Sequence, residues 1–361
     1  MQLYPLEVQR LHRTTANSIC IELERPASLR EQFRFVPGQF VTLKLNIDGK
    51  ELQRSYSISS SPDQFGSLQL TVKEVPGGEA SRWLCRKLRT GARLQVSSPM
   101  GGFTPPPSRA TSRHYYLFAA GSGISPLLSV IRTVLQREPG SRLFLLYGSR
   151  DQRQIIQLDQ LTELEQRYGS RLVISHSLSQ PISNPLSRVL KRCRRWQGLR
   201  GRIDMQAVMN FMRRNSPGGV ESCYMICGPD EMMNNCRRAL LSLGAEPAEI
   251  LSEHFIPGMG NGNDSGQAAN LALKLDGRQL RLEVKPNESL LDAALRDQVD
   301  VPYSCQSGAC GCCRARLLNG EVERGDLSAL QQEQISRGEI LLCQCWAASP
   351  QLSIEVESEP G

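Results

Sequence analysis

Short runs of alternating apolar and polar residues dominate the first part of the chain, as in Phe40-Val41-Thr42-Leu43-Lys44-Leu45 and Leu68-Gln69-Leu70-Thr71-Val72. A period of two puts one face of each run in a core and the other in water, which predicts strands. Pro37-Gly38 and Pro76-Gly77-Gly78 interrupt the runs where turns are needed, and Pro105-Pro106-Pro107-Ser108 closes the segment. The expected product is a small antiparallel barrel.

Beyond that break the pattern changes. Strands at Tyr115 to Ala120, Leu143 to Gly148, Leu172 to Ser175 and Cys223 to Cys227 alternate with helical stretches such as Pro126 to Gln136 and Asp230 to Leu243. Such alternation predicts a parallel sheet flanked by helices. A second break runs from Pro257 to Gly266 and has the Gly/Asn/Ser content of a flexible tether, able to let the part that follows swing. After it, Leu280, Leu282 and Val284 alternate like a strand, Ser289 and Asp292 form a capping box for a helix, and a cysteine-rich loop follows. Strand, helix and loop in that order suit a small β-grasp fold. The fold class is therefore α/β plus β, with units at 1–108, 109–257 and 271–361 and a tether at 258–270.

Composition narrows the picture. The chain has 361 residues, 40% hydrophobic and 22% charged, which excludes a disordered protein. No apolar run approaches the roughly 18 to 20 residues of a membrane span. Met1 to Arg13 carries Glu7, Arg10, His12 and Arg13 within a short apolar pattern, unlike a secretory leader, so a soluble cytoplasmic protein is expected. The net charge of +7 owes part of its sign to Lys191-Arg192-Cys193-Arg194-Arg195. Such a run is usually a solvated face; as an interaction surface it favours acidic protein partners over nucleic acid. Twelve cysteines in a long chain without a leader read as reduced thiols plus one metal site.

That metal site has a definite spacing. Cys305, Cys310 and Cys313 follow as C-x4-C-x2-C, and Cys343 lies beyond them after 29 intervening residues, the pattern of a plant-type 2Fe-2S centre. Gly308 and Gly311 permit the tight loop and the close approach of backbone N–H groups to sulfur. The competing scheme is a zinc site from Cys310, Cys313, Cys343 and Cys345, which leaves Cys305 unused. Cys312 and Cys345 are extra thiols beside the quartet.

Four weaker signals lie upstream. Gly121-Ser122-Gly123-Ile124-Ser125-Pro126 follows a strand and is expected to open a helix, with Ser125 as N-cap and Pro126 at the first helical position, its N–H groups aimed at phosphates. Ser149 and Arg150 end the next strand, where they can hold a ribose 2′-phosphate; this leans toward NADPH over NADH. In Arg54-Ser55-Tyr56-Ser57, Arg54 and Tyr56 share a strand face and can present a cation and a ring to one ligand. Gly77-Gly78-Glu79-Ala80-Ser81 precedes a helical stretch from Arg82 to Leu88, a second anion-binding helix start.

Together these motifs resemble, in order and over nearly the whole chain, the ferredoxin-NADP reductase superfamily joined to a C-terminal plant-type ferredoxin. The resemblance implies FAD, NAD(P)H and a 2Fe-2S cluster in an electron-transfer reductase. It gives Arg54 to the flavin phosphates, Tyr56 to its ring, Ser57 to its reactive edge, and Gly77, Gly78 and Ser81 to the pyrophosphate. Gly121, Gly123 and Pro126 map to the nucleotide loop, and Cys227 of Cys227-Gly228-Pro229 to the nicotinamide. Glu253 and Phe255 match the E-x-aromatic ending of the reductase domain, where the aromatic covers the flavin. Cys305, Cys310, Cys313 and Cys343 are the implied cluster ligands. Two branches of the superfamily are especially similar. Gly201-Arg202-Ile203-Asp204 and Ser289 to Leu295 resemble the reductases of phenylacetyl-coenzyme A epoxidase and related hydroxylases. Cys310-Gly311-Cys312-Cys313 and Cys343-Gln344-Cys345 resemble the reductases of hybrid-cluster protein. The implied acceptor is accordingly an oxygenase or hydroxylase, with hybrid-cluster protein as the alternative and a flavin and cluster redox sensor as an alternative of another class.

Overall fold

The computed structural model describes residues 2–64, 66–106, 112–182, 196–216, 218–255, 266–303, 306, 308, 310–325, 327 and 329–356. Cys305, the basic run 191–195 and most of the tether lie outside the described residues.

The first unit is an antiparallel sheet in the order Lys50–Ser57, Phe40–Ile47, Arg93–Ser97, Leu3–Thr15, Ser18–Glu24, Ser67–Lys73. An isolated bridge between Ile58 and Leu70 draws its two ends together into a barrel. Leu6, Val8, Ile21, Leu23, Val41, Leu43, Leu68, Leu70 and Val96 fill it, the inward members of the alternating runs. Helix Glu79–Arg86 contributes Leu84 and Cys85 to the same core.

The second unit is a six-stranded sheet in the order Leu199–Arg200, Leu172–Leu178, Arg142–Ser149, His114–Ala120, Ser222–Cys227, Ile250–Glu253, parallel throughout. Tyr115, Tyr116, Leu117, Phe118 and Ala119 are all buried, because helices cover both faces of the central strand. Strand order reverses at His114–Ala120, and ligands of open parallel sheets sit at the carboxyl ends of the strands at such a point. Gly121 and Gly228 follow those ends here.

The third unit has a five-stranded sheet ordered Arg278–Val284, Ala269–Leu275, Gln351–Val356, Arg314–Asn319, Glu339–Leu341. Helix Leu290–Arg296 packs into its core through Leu290, Leu291, Ala293 and Ala294. Ser289 caps this helix by accepting from the Asp292 N–H at 3.1 Å. The reciprocal bond of the expected capping box is replaced by Ser289 Oγ donating to the Asp292 carboxylate at 2.7 Å.

Two helix starts differ from the sequence expectation. The helix after the glycine loop spans Ile124–Arg137 with Gly123 as N-cap, so Ser125 and Pro126 lie inside its first turn. Proline is tolerated there because first-turn N–H groups have no intrahelical acceptor. Ser125 Oγ bonds the Thr71 carbonyl of the barrel at 3.4 Å in place of a capping role. Likewise the eight-residue helix after Gly78 spans Glu79–Arg86, placing Ser81 within its first turn.

Candidate functional site

Strand Lys50–Ser57 carries Arg54, Tyr56 and Ser57 along the barrel edge. The Tyr56 ring packs on the barrel core, and burial raises its hydroxyl pKa while the Arg54 charge opposes the rise. Ser57 is buried, its Oγ 3.5 Å from Glu253 Oε2. Glu253 stands beside Cys227 in the register of neighbouring parallel strands. Burial, then the Glu253 charge, push the Cys227 thiol well above its ordinary pKa, so it stays protonated. Three side chains from two units, Ser57, Cys227 and Glu253, thus meet in one place. Phe255, two residues past Glu253, is 39% exposed and lines the adjoining cleft.

The turn after strand Ser67–Lys73 is closed by its own groups. Gly78 N donates to the Val75 carbonyl at 3.0 Å, and Val75 N donates to Ser81 Oγ at 3.2 Å. Ser81 Oγ in turn bonds the Gly78 carbonyl at 3.3 Å, so its hydroxyl shapes the turn. No side chain caps this helix, which leaves its first N–H groups for an anion.

A cleft of about 1060 Å³ opens at the carboxyl ends of the parallel strands, lined among others by Gly121, Gly123, Ser149, Arg150, Gly228 and Phe255. Gly121 has φ +56°, and a Cβ on Gly123 would collide with the Cys227 carbonyl, so the loop lies directly on the strand that carries the thiol. Tyr147 holds the loop from below, its hydroxyl donating to the Gly121 carbonyl at 2.9 Å and accepting from Ile156 N at 3.2 Å. Arg150 Nε donates to Gln180 Oε1 at 2.9 Å, while Arg202 is paired with Glu231 at 2.8 Å. Lys73, which sequence reasoning missed, reaches the cleft from the barrel and has its pKa lowered by burial. As the terminal residue of a strand it carried no local signal.

In the third unit Cys313 Sγ and Cys343 Sγ lie 3.2 Å apart. The Cys312 N–H donates to Cys310 Sγ at 3.4 Å across the Gly311 turn, where φ is +72°. Amide-to-sulfur bonding of this kind stabilises thiolate ligands. The donor set therefore fits an iron-sulfur cluster. Cys345 is fully buried in the apolar core beside strand Glu339–Leu341, and burial raises its thiol pKa. Cys305 lies outside the described residues.

Family models match in the same order as the units: an oxidoreductase FAD-binding domain over 6–104, an oxidoreductase NAD-binding domain over 117–238 and a 2Fe-2S iron-sulfur cluster binding domain over 273–348. The chain is 32% identical over 362 residues to a 1,2-phenylacetyl-CoA epoxidase component of Escherichia coli K12, covering 99% of this chain and 98% of that one. It is equally 32% identical to the ferredoxin reductase component of 3-ketosteroid-9-alpha-monooxygenase from Rhodococcus rhodochrous, covering 97% and 96%. The chain belongs to this family of reductases. It is an NAD(P)H oxidoreductase with FAD-binding, NAD-binding and 2Fe-2S domains. The reductase also shares the fold of phthalate dioxygenase reductase, with a TM-score of 0.62, 23% identity and 98% of each chain covered. No described helix of the reductase is long and apolar enough to cross a membrane.

Proposed function

We propose that this reductase draws electrons from NAD(P)H in the cleft of the parallel sheet and delivers them one at a time, through the cysteine loop, to a separate oxygenase or hydroxylase. The observation that carries the proposal is the meeting of Ser57, Cys227 and Glu253, the second next in the chain to Gly228 and the third two residues from Phe255, both of which line that cleft. FAD takes an electron pair as hydride and releases electrons singly, and plant-type 2Fe-2S centres work at roughly −400 mV.

The chain's own residues divide the work. Arg54 holds phosphate and Tyr56 lies against the flavin ring, while Gly77, Gly78 and the helix that Ser81 braces hold the pyrophosphate. Gly121, Gly123 and the first turn containing Pro126 hold the nucleotide phosphates. Ser57 and Glu253 keep a proton between Oγ and carboxylate at the reacting edge, and the neutral Cys227 thiol packs beside it. Phe255, partly exposed at the cleft, is the residue that would cover the flavin and give way to nicotinamide. Arg150 with Ser149 leans the site toward NADPH. Cys305, Cys310, Cys313 and Cys343 hold the cluster.

The named relatives belong to oxygenase systems, which favours such an acceptor over hybrid-cluster protein or a sensing role. Ten described cysteines stand outside any disulfide, which fits a reducing, cytoplasmic setting. The three units divide near residues 108, 257 and 271. Anaerobic mixing with NADPH or NADH, followed by cytochrome c and then by an oxygenase co-purified from the source cells, tests it. Failure of both nucleotides to bleach the flavin absorbance would sink the proposal.

A further inference from the structure

The helix Ile124–Arg137 begins at the glycine loop and lies along the barrel segment just past Ser57. Its contacts there come from one polar face, spaced three and four residues apart. Ser129 Oγ donates to the Ser60 carbonyl at 2.6 Å, and Thr133 Oγ1 lies 3.3 Å from Ser61 Oγ. Ser61 Oγ bonds Gln136 Oε1 at 3.1 Å, and Arg137 binds Asp63 through two bonds of 2.7 and 2.6 Å. Ser59, Ser60 and Ser61 are all buried. This seam joins the two units by hydrogen bonds with fixed directions, so sliding along it means exchanging partners.

Arg132 sits at its centre. Nη1 donates to the Ser59 carbonyl at 2.8 Å and to Gln69 Oε1 at 2.9 Å, and Nη2 donates to Gln160 Oε1 on helix Leu158–Tyr168. Among the described residues it forms no salt bridge; burial lowers its pKa, and the nearby Cys20 and Glu163 oppose the shift. A partly buried cation whose direct partners are neutral oxygens is costly unless it orders what surrounds it. Here those oxygens belong to the barrel and to the nucleotide unit, and one of them is two residues from Ser57.

We propose that Arg132 is a positioning residue for hydride transfer: by locking helix Ile124–Arg137 in register on Ser59–Ser61, it sets where the Gly121–Gly123 loop stands relative to Ser57. The role rests on the reading that NAD(P)H reacts at the Ser57 end of the cleft. Geometry is the sensitive quantity, since a displacement of about 1 Å can cost about a hundredfold in rate.

The test uses the full-length, cofactor-loaded reductase and its Arg132→Met, Arg132→Lys and Ser129→Ala variants. Single-turnover flavin bleaching at rising NAD(P)H separates the saturating rate from the half-saturating concentration. Amide hydrogen exchange at Ser59–Ser61 and Ser125–Thr133 reports the seam independently of turnover. Arg132→Met is expected to lower the saturating rate about 10- to 100-fold, with half-saturation changed less than about threefold and seam exchange accelerated. Arg132→Lys recovers part of the loss. A saturating rate within about threefold of the parent, with only thermal stability reduced, overturns the proposal, as does a loss confined to half-saturation. If Arg132→Met gives no folded protein, Ser129→Ala decides: a rate fall beyond about threefold supports the role and an unchanged rate overturns it. A parent chain that neither nucleotide bleaches overturns the underlying reading as well.

Discussion

Ser57 Oγ lies 3.5 Å from Glu253 Oε2, a hydrogen bond that crosses from the barrel to the last strand of the parallel sheet. The two residues are 196 positions apart in the chain. Their meeting gives the reacting edge a hydroxyl whose orientation is set by a buried carboxylate. Glu253→Gln keeps the shape and removes the charge. We expect it to lower the rate of flavin reduction by NAD(P)H about a hundredfold, within the span of a positioned proton-handling group. Ser57→Ala should lower it comparably, and the double variant should be little worse than either single one. Fully multiplicative losses in stopped-flow reduction would mean that the pair does not act as a unit.

Arg150 offers the cleft a guanidinium held on one side by Gln180. A charge-assisted bond to a 2′-phosphate contributes about 1.5 to 3 kcal/mol, and about 1.4 kcal/mol is a factor of ten. Arg150→Ala is therefore expected to reduce kcat/KM for NADPH about 10- to 100-fold and to leave NADH nearly unchanged. Equal losses with both nucleotides would remove Arg150 from the phosphate site.

The proposed cluster ligands Cys310, Cys313 and Cys343, set beside Cys345, predict opposite outcomes for two neighbouring cysteines. Cys343→Ala removes one of the sulfurs 3.2 Å apart and should abolish the visible absorbance and the paramagnetic signal of the reduced 2Fe-2S centre. Cys345→Ala empties a small volume of the buried core and should cost about 1 to 2 kcal/mol in stability while the cluster signal survives. Loss of the signal in Cys345→Ala would make that thiol a ligand.

Legibility in the sequence followed how local each requirement is. The cysteine loop could be read because thiolates converging on one centre need fixed spacing, and the strands because burial of one face or both imposes its own pattern. Serine at a helix start commonly caps or precedes the helix, which is what the local sequence predicts for Ser125 and Ser81. Their hydroxyls instead answer Thr71 and the Val75 turn. Thr71 lies 54 positions from Ser125, and no reading of adjacent residues contains it. Lys73 and Arg132 were missed for the same reason. Each reads locally as a solvated basic residue at a strand end or on a helix, and only the joining of two units partly buries it.

His176 supplies a pH dependence. It lies on strand Leu172–Leu178 against the rings of Tyr147 and Trp196, and its Nδ1 has no hydrogen-bond partner among the described residues. Burial lowers its pKa from 6.5 to about 4. Between those values the unfolded chain takes up a proton that the folded chain refuses, so stability falls as pH drops from 6.5 toward 4 and is level on either side of that window. The full loss is about 2 to 3 kcal/mol at roughly 1.4 kcal/mol per unit, allowing for partial solvent screening. His176→Phe keeps an aromatic ring between Tyr147 and Trp196 and removes the titration. The difference in urea midpoint between parent and variant, taken at matched pH so that acid effects on the cofactors cancel, should shift in the variant's favour by that amount from pH 6.5 to pH 4. A difference independent of pH across the window would show that His176 is protonated as easily in the folded chain as in the unfolded one.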